Sequence, residues 1–312
     1  MLSKTLPGFF RRVRIELRRR RILGLAFYWV LVATVVLAAA ETWAQDKTFL
    51  WKVQSAKSNI YLLGSVHFLK QENYPLKQTI EKAFDNAQKL VLEIDFKEAD
   101  AGAIQRLTLE KGLQRNGKTL EQNVSPETYG LTQKRAAELG IDIRALSPLK
   151  PWVVALTLTA LQLQKLGFEP KYGVDRYLAA RAMKAGKTIV GLESAAFQIG
   201  LIDELSEKDQ ESMLRRSLKE MDLLDRGLDE ILRAWSTGNV KSLEALLLRG
   251  MREYPAVHQK IIVDRNRRWL PEIERMIEQG ESILIVVGAG HLVGKDGVVE
   301  LLKARGYTVE QM

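Results

Sequence analysis

Short, nearly continuous apolar runs alternate along the chain with longer stretches whose apolar residues recur every three or four positions. The runs at 59–63, 90–94, 188–192 and 282–287 predict buried strands, and 49–54 predicts an edge strand ahead of them. Helical periodicity marks 76–87, 126–139, 152–166, 174–185, 257–279 and 295–305. The stretch 206–250 reads as helix throughout, with breaks near 224 and at 237–238. Strands alternating with helices predict an α/β fold, a central mostly parallel sheet flanked by helices, with a helical cap inserted at about 200–256. No linker, low-complexity tract or internal repeat divides 45–312, which reads as one domain.

The front of the chain follows a different pattern. Lys4 and seven arginines between Arg11 and Arg21 precede 22–40, a run without charge, and then Glu41-Thr42-Trp43-Ala44-Gln45. Segment 1–44 reads as a signal peptide cut after Ala40 or Ala44, or as an uncleaved N-terminal membrane anchor. Both readings export the domain, to the periplasm or to the periplasmic face of the inner membrane. This segment carries +6 of the net charge of +9, leaving +3 for the rest. So small an excess, without zinc-finger spacing or basic repeats, argues against nucleic acid as a partner. With no cysteine, disulfides, thiolate catalysis and cysteine-based metal sites are excluded.

Candidate chemistry sits where the strands end. In open α/β sheets ligands collect beyond the carboxyl ends of parallel strands. The first run leads into Gly64-Ser65-Val66-His67 and the last into Gly288-Ala289-Gly290-His291, so two of the three histidines close matching Gly-x-x-His turns. Glycine suits such a turn by allowing left-handed backbone or close approach. The second run ends in Glu93-Ile94-Asp95 and the third in Gly191-Leu192-Glu193. Glu93 lies inside an apolar run, where a carboxylate needs an ionic partner or a metal. Asp95 also suits a turn, and Glu193 a helix N-cap or first turn. Arg265 falls within the stripe formed by Ile261, Ile262, Trp269, Ile273, Met276 and Ile277, and calls for an anion: Glu93, Glu193 or a substrate oxyanion. His258 reads as a surface or helix-terminal residue. The bland alternative is a set of turn-capping histidines and structural salt bridges.

In this order the blocks resemble the TraB/GumN family, which is related to Tiki-type metalloproteases and more distantly to erythromycin-esterase-like hydrolases. They are Leu50-Trp51-Lys52-Val53, Tyr61 to His67, Pro75-Leu76, Leu90 to Asp95, Lys150-Pro151-Trp152, Gly173-Val174-Asp175, Gly191-Leu192-Glu193 with Gln198, Asp264-Arg265-Asn266 and Val287 to Gly294. Ser65 stands where such proteins often have threonine. The resemblance implies a metal-dependent hydrolase whose site comprises His67, His291, Glu93 and Glu193, with Arg265 assisting. It suggests hydrolysis of a peptide or small acyl substrate. A divalent ion (Zn, Mn or Co) would be held by His67, His291 and one of the carboxylates Glu93 and Glu193, the other acting as base, with Arg265 stabilising negative charge. Two alternatives stay open at this level: metal-free, esterase-like acid–base hydrolysis, and a non-enzymatic periplasmic accessory or binding protein linked to envelope polysaccharide.

Overall fold

A computed structural model describes residues 47–55, 59–96, 101–115, 117–251 and 255–312. The signal or anchor expected at 1–44 lies outside the described residues. Among those described, no helix is long and apolar enough to cross a membrane.

Six strands form one sheet: β1 (Leu50–Val53), β2 (Ile60–Ser65), β3 (Lys89–Ile94), β4 (Thr188–Glu193), β5 (Ile283–Gly288) and β6 (Val309–Gln311), in the order β4-β3-β5-β2-β1-β6. The first four in that order run parallel, whereas β1 is antiparallel to both β2 and β6. The sheet is therefore mostly parallel. Every residue of β2 is buried, and so are the first five of β5, which is why their sequences read as unbroken apolar runs rather than alternation. β6 was not foreseen: only Val309 of its three residues is buried, so no apolar run announces it.

Helices Gln78–Asn86, Pro126–Glu138, Pro151–Lys165, Val174–Lys184 and Val298–Ala304 occupy the predicted periodic stretches. Ala101–Gly112 and Ala195–Asp203 are additional. The latter, Ala-Ala-Phe-Gln-Ile-Gly-Leu-Ile-Asp, has no single apolar stripe to betray it, but Ser194 caps it by accepting from the Phe197 N–H.

The cap region divides between two cores. Glu207–Glu220 buries Leu214 and Leu218 with Leu120, Leu146, Val154 and Leu158, in a second cluster away from the sheet. Leu224–Ser236 and Val240–Met251 instead return to the main core through Trp235 and Leu243. The Trp235 indole N–H donates to the Gly64 carbonyl at 2.7 Å, fastening this helix to the end of β2. The helix expected over 257–279 is also divided. Pro255–His258, which ends on the half-buried His258, runs into a widened π-helical turn at Gln259–Val263, and Asp264–Gln279 follows.

Connectivity places the strand ends together. β5, the last parallel strand in sequence, inserts between β3 and β2, pairing Gly288 with Ser65 and Val286 with both Leu63 and Leu92. The turns that carry His67 and His291 thus leave neighbouring strands at the same end of the sheet, although 224 positions separate them in sequence.

Trp235→Phe is expected to strand the buried Gly64 carbonyl and cost about 1–3 kcal/mol. A chemical-denaturation midpoint unchanged from wild type would show that this bond does not hold the helix to β2.

Candidate functional site

Arg265 is the centre of the site, and its side chain is only 7% exposed. Its Nε–H donates to Glu193 Oε1 at 2.7 Å, and Nη2 donates to both Glu193 Oε1 and Glu93 Oε2. Nη1 donates to the Ile261 carbonyl at 3.1 Å and stands 2.9 Å from His291 Nε2. All five guanidinium N–H groups are therefore engaged. The π-helical turn contributes here. Asp264 N–H reaches back five residues to the Gln259 carbonyl, and this break in the α-helical ladder lies directly before Arg265 and beside the carbonyl that receives Nη1.

The two carboxylates differ in what remains free. Glu193, with 3% of its side chain exposed, receives Arg265 and Gln198 on Oε1 and the Trp269 indole N–H on Oε2. Glu93 receives Arg265 and Gln198 on Oε2, and the Gly288 N–H on Oε1 at 2.7 Å. The Gln198 amide thus bridges the pair, donating at 3.0 Å to each. Burial would raise the Glu93 pKa, but His291, Arg265, His67 and the Gly288 N–H outweigh it and hold the carboxyl at about 2.

The two histidines follow the same motif into opposite environments. His291 is buried, and its Nδ1 lies 2.7 Å from Asn266 Oδ1. Since the Asn266 amide nitrogen donates to the carbonyls of His291 and Asp296, Oδ1 is the acceptor and Nδ1 carries the proton. Nε2 is then a lone pair receiving Arg265 Nη1. Burial, reinforced by the charges of Arg265 and His67 against the opposing pull of Glu93, lowers the His291 pKa to about 3, so the ring is neutral. His67 keeps 57% of its side chain exposed and pairs through Nδ1 with Asp175 Oδ1 at 3.3 Å. Loss of water around the ring nitrogens would lower its pKa, but the nearby charge of Asp175 and then of Glu93 outweighs this and carries it up to about 9.

Gly288 lies at the meeting point. A Cβ on this residue would lie 3.2 Å from Glu93 Oε1, 3.4 Å from His67 Nε2 and 3.6 Å from His291 Cδ2. Neither Gly64 nor Gly288 has positive φ, so the expected left-handed backbone is not what these turns use. Both serve close approach: a Cβ on Gly64 would strike the Phe49 ring at 2.4 Å, and one on Gly288 would crowd the site. Gly173 does the same for His67, since a Cβ there would meet the His67 carbonyl at 2.3 Å where the helix Val174–Lys184 docks.

His67, Glu93, Glu193, Arg265 and His291 are therefore brought together, and Asp95 stands aside, lining a neighbouring cavity along β4. Asp175, Gln198, Asn266 and Trp269 join the site without a chemical signal of their own in the sequence. Three of them fall inside the blocks that carry the resemblance, but their contacts link distant segments that spacing does not connect. His67, Glu93, Asp175 and Gln198 line a cavity of about 320 Å³.

For a divalent ion, the donor chemistry is partly in place. His67 Nε2 and Glu93 Oε1 face the same space over Gly288, while His291 Nε2, 3.9 Å from Glu93 Oε1, is occupied by Arg265. Among the described residues no three histidine, aspartate or glutamate side chains stand together as a ready ligand set.

The sequence profile of the TraB/PrgY/gumN family matches residues 49–311. The chain belongs to this family. It is 26% identical over 245 residues to "Uncharacterized protein YbaP" of Escherichia coli (strain K12), covering 78% of this chain and 88% of that one. An "Uncharacterized protein" of Treponema pallidum (strain Nichols) is 22% identical, covering 84% of this chain and 82% of its own length. A "Metalloprotease TIKI homolog" of Amphimedon queenslandica is also 22% identical, over 86% of this chain and 62% of that protein. No solved structure matches the chain.

Two outcomes test the geometry. Asp175→Asn is expected to bring the His67 pKa down from about 9 while His291 stays neutral between pH 5 and 8, read from the imidazole Hε1 resonances. A histidine whose pKa rises on folding stabilises the fold fully below its unfolded value, about 6.5, and loses that contribution as pH climbs through the folded value. The substitution should therefore cost most below pH 6.5 and least above 9, and a pH-independent cost would refute the pairing. Glu193→Ala leaves Arg265 half compensated in the interior and is expected to cost about 3–5 kcal/mol in urea denaturation. A loss below 1 kcal/mol would mean that the cluster does not depend on Glu193.

Proposed function

We propose that this chain is a hydrolase of peptide or similar acyl bonds, working outside the cytoplasm, with a divalent ion held first by His67 and Glu93. The observation that carries this reading is the convergence of His67 Nε2 and Glu93 Oε1 on the space over Gly288, two donors of the nitrogen and oxygen type that Zn, Mn and Co accept. The similarity to a metalloprotease homologue supports it. So does the charge balance: Glu93 and Glu193 carry two negative charges against one on Arg265, leaving one facing that space. The export reading rests on the basic and apolar pattern of 1–44.

The chemistry such an ion supplies when bound is Lewis acidity toward water and an acyl oxygen. The chain's own groups do the rest. Asp175 orients the His67 ring so that Nε2 points inward, the carboxylate–histidine arrangement common behind both ligands and bases. Beside the Gly288 N–H, Glu93 Oε1 keeps one lone pair toward the same space: it would go to the ion when one is bound, and without an ion it is the lone pair placed to take a proton from water. Glu193 has both oxygens engaged, and its part is to hold Arg265. Arg265 likewise has no N–H to spare for substrate, and acts by its fixed charge and by positioning Glu93 and His291. His291, neutral and fixed by Asn266, backs the site.

Two observations favour a second, metal-free reading: Arg265 holds His291 Nε2, and His67 carries a proton at neutral pH, as a general acid would. The two readings separate in one experiment. On the first, purified protein hydrolyses members of an internally quenched peptide library, carries a stoichiometric ion by elemental analysis, loses activity on chelation and regains it with added ion. His67→Ala and Glu93→Gln each lower kcat/KM at least a hundredfold. Activity indifferent to chelation would transfer the reaction to the second reading, and hydrolysis untouched by both substitutions would sink the site.

A further inference from the structure

We propose that Arg176 forms a subsite that reads a carboxylate on the substrate, beside an apolar wall in the same cavity as His67 and Glu93. This rests on the hydrolase reading above and names the substrate feature that the site would select.

Arg176 lines the cavity with His67, Glu93, Phe96, Ile104 and Pro170. It is half-buried, and its guanidinium lies over the Phe96 ring, 5.2 Å from the centroid. Among the described residues no carboxylate pairs with it and no hydrogen bond occupies its N–H groups. Neighbouring Asp175 is turned to His67 instead. The contrast with Arg265 is instructive, because that guanidinium spends every N–H on protein and can offer a ligand none.

The position of Arg176 has no explanation within its own helix. It is the third residue of Val174–Lys184, where the helix dipole disfavours a cation and favours an acid such as Asp175. Stacking on Phe96 fixes the plane of the fork but leaves its edges free, the arrangement in which arginine binds carboxylate in a bidentate manner. Phe96, Ile104 and Pro170 make the surrounding wall apolar, which strengthens such a pair and suits the hydrocarbon part of a peptide residue. The carboxylate could belong to an acidic side chain near the scissile bond or to a free peptide C-terminus.

Four matched sets of internally quenched peptides distinguish these sources: acidic side chain with amidated C-terminus, neutral with free C-terminus, neutral with amidated C-terminus, and lysine-bearing with amidated C-terminus. Wild-type protein is expected to prefer one carboxylate-bearing set over the neutral amidated set by about ten- to a hundredfold in kcat/KM, mostly through KM. Arg176→Gln should bring that ratio close to one, and Arg176→Glu should shift preference to the lysine set. A wild-type ratio within twofold of one, or a ratio that survives Arg176→Gln, would overturn the proposal. Fluorescence anisotropy of the same peptides, labelled without quencher, on His67→Ala reads the subsite without turnover. Carboxylate peptides should bind at least tenfold more tightly than neutral amides, and lose that margin when Arg176→Gln is added. Absence of any turnover by wild type would defeat the hydrolase reading alone, since the anisotropy margin would still decide for or against the subsite.

Discussion

A guanidinium withdrawn from water is costly unless every N–H and its charge are answered, and the arrangement of this protein follows from how Arg265 is answered. Its partners come from the end of β3, the end of β4, the π-helical turn before its own helix, and the turn after β5. No two adjacent segments could supply that set. The sheet must therefore close in the observed order before the arginine is compensated, with Glu193 in register beside Ile94 and hence one step from Glu93. The helix Asp264–Gln279 is held over the strand ends by the same contacts, and Trp269, one turn further on, lies against both the Arg265 guanidinium and the His291 ring. Fold and site are in this sense one interaction seen from two sides.

The part of this that can be read from sequence is the part written in local pattern. Apolar runs announce the four parallel strands because both faces of the sheet are covered, and an arginine inside an apolar stripe announces a buried anion before the anion is known. With that arginine, two Gly-x-x-His turns and two carboxylates at strand ends nominate the five residues that meet. What stays hidden is contact between segments remote in sequence. Asp175 has no feature of its own that marks it as the partner of His67, and Asn266 passes for a polar neighbour of Arg265 until its amide is seen spanning two carbonyls. The division of the cap between two cores is hidden for a related reason. The cap helices carry ordinary amphipathic stripes, and a stripe does not say which of two cores it faces.

Of the two uses of glycine expected at these turns, left-handed backbone and close approach, only close approach operates at Gly64 and Gly288. Left-handed backbone is the usual reason for glycine in a tight turn, yet Gly64 and Gly288 have ordinary φ. The missing Cβ matters because Phe49 crowds one and Glu93, His67 and His291 crowd the other. Crowding by side chains from other strands is invisible in a local window, whereas the glycine that it demands is not.

The matching motifs also conceal an asymmetry that bears on chemistry. Gly-x-x-His sets the direction in which each chain leaves its strand, but the protonation of each ring depends on what packs against it. His291 is withdrawn from water and faces the cation of Arg265 on one nitrogen, and is driven neutral. His67 faces Asp175 on one side and the uncompensated charge of the Glu93–Arg265–Glu193 cluster on the other, and is driven to hold a proton. That residual negative charge needs a counter-charge in the space over Gly288 whether or not substrate is present. A proton on His67 satisfies it in one state, and on the metal reading proposed above a divalent ion would satisfy it in another, each displacing the other, because the same Nε2 lone pair is needed for both. Competition for that lone pair links the ionisation of the exposed histidine to the cation the site would accept, while the buried histidine, held by Asn266 and Arg265, stays the same in both.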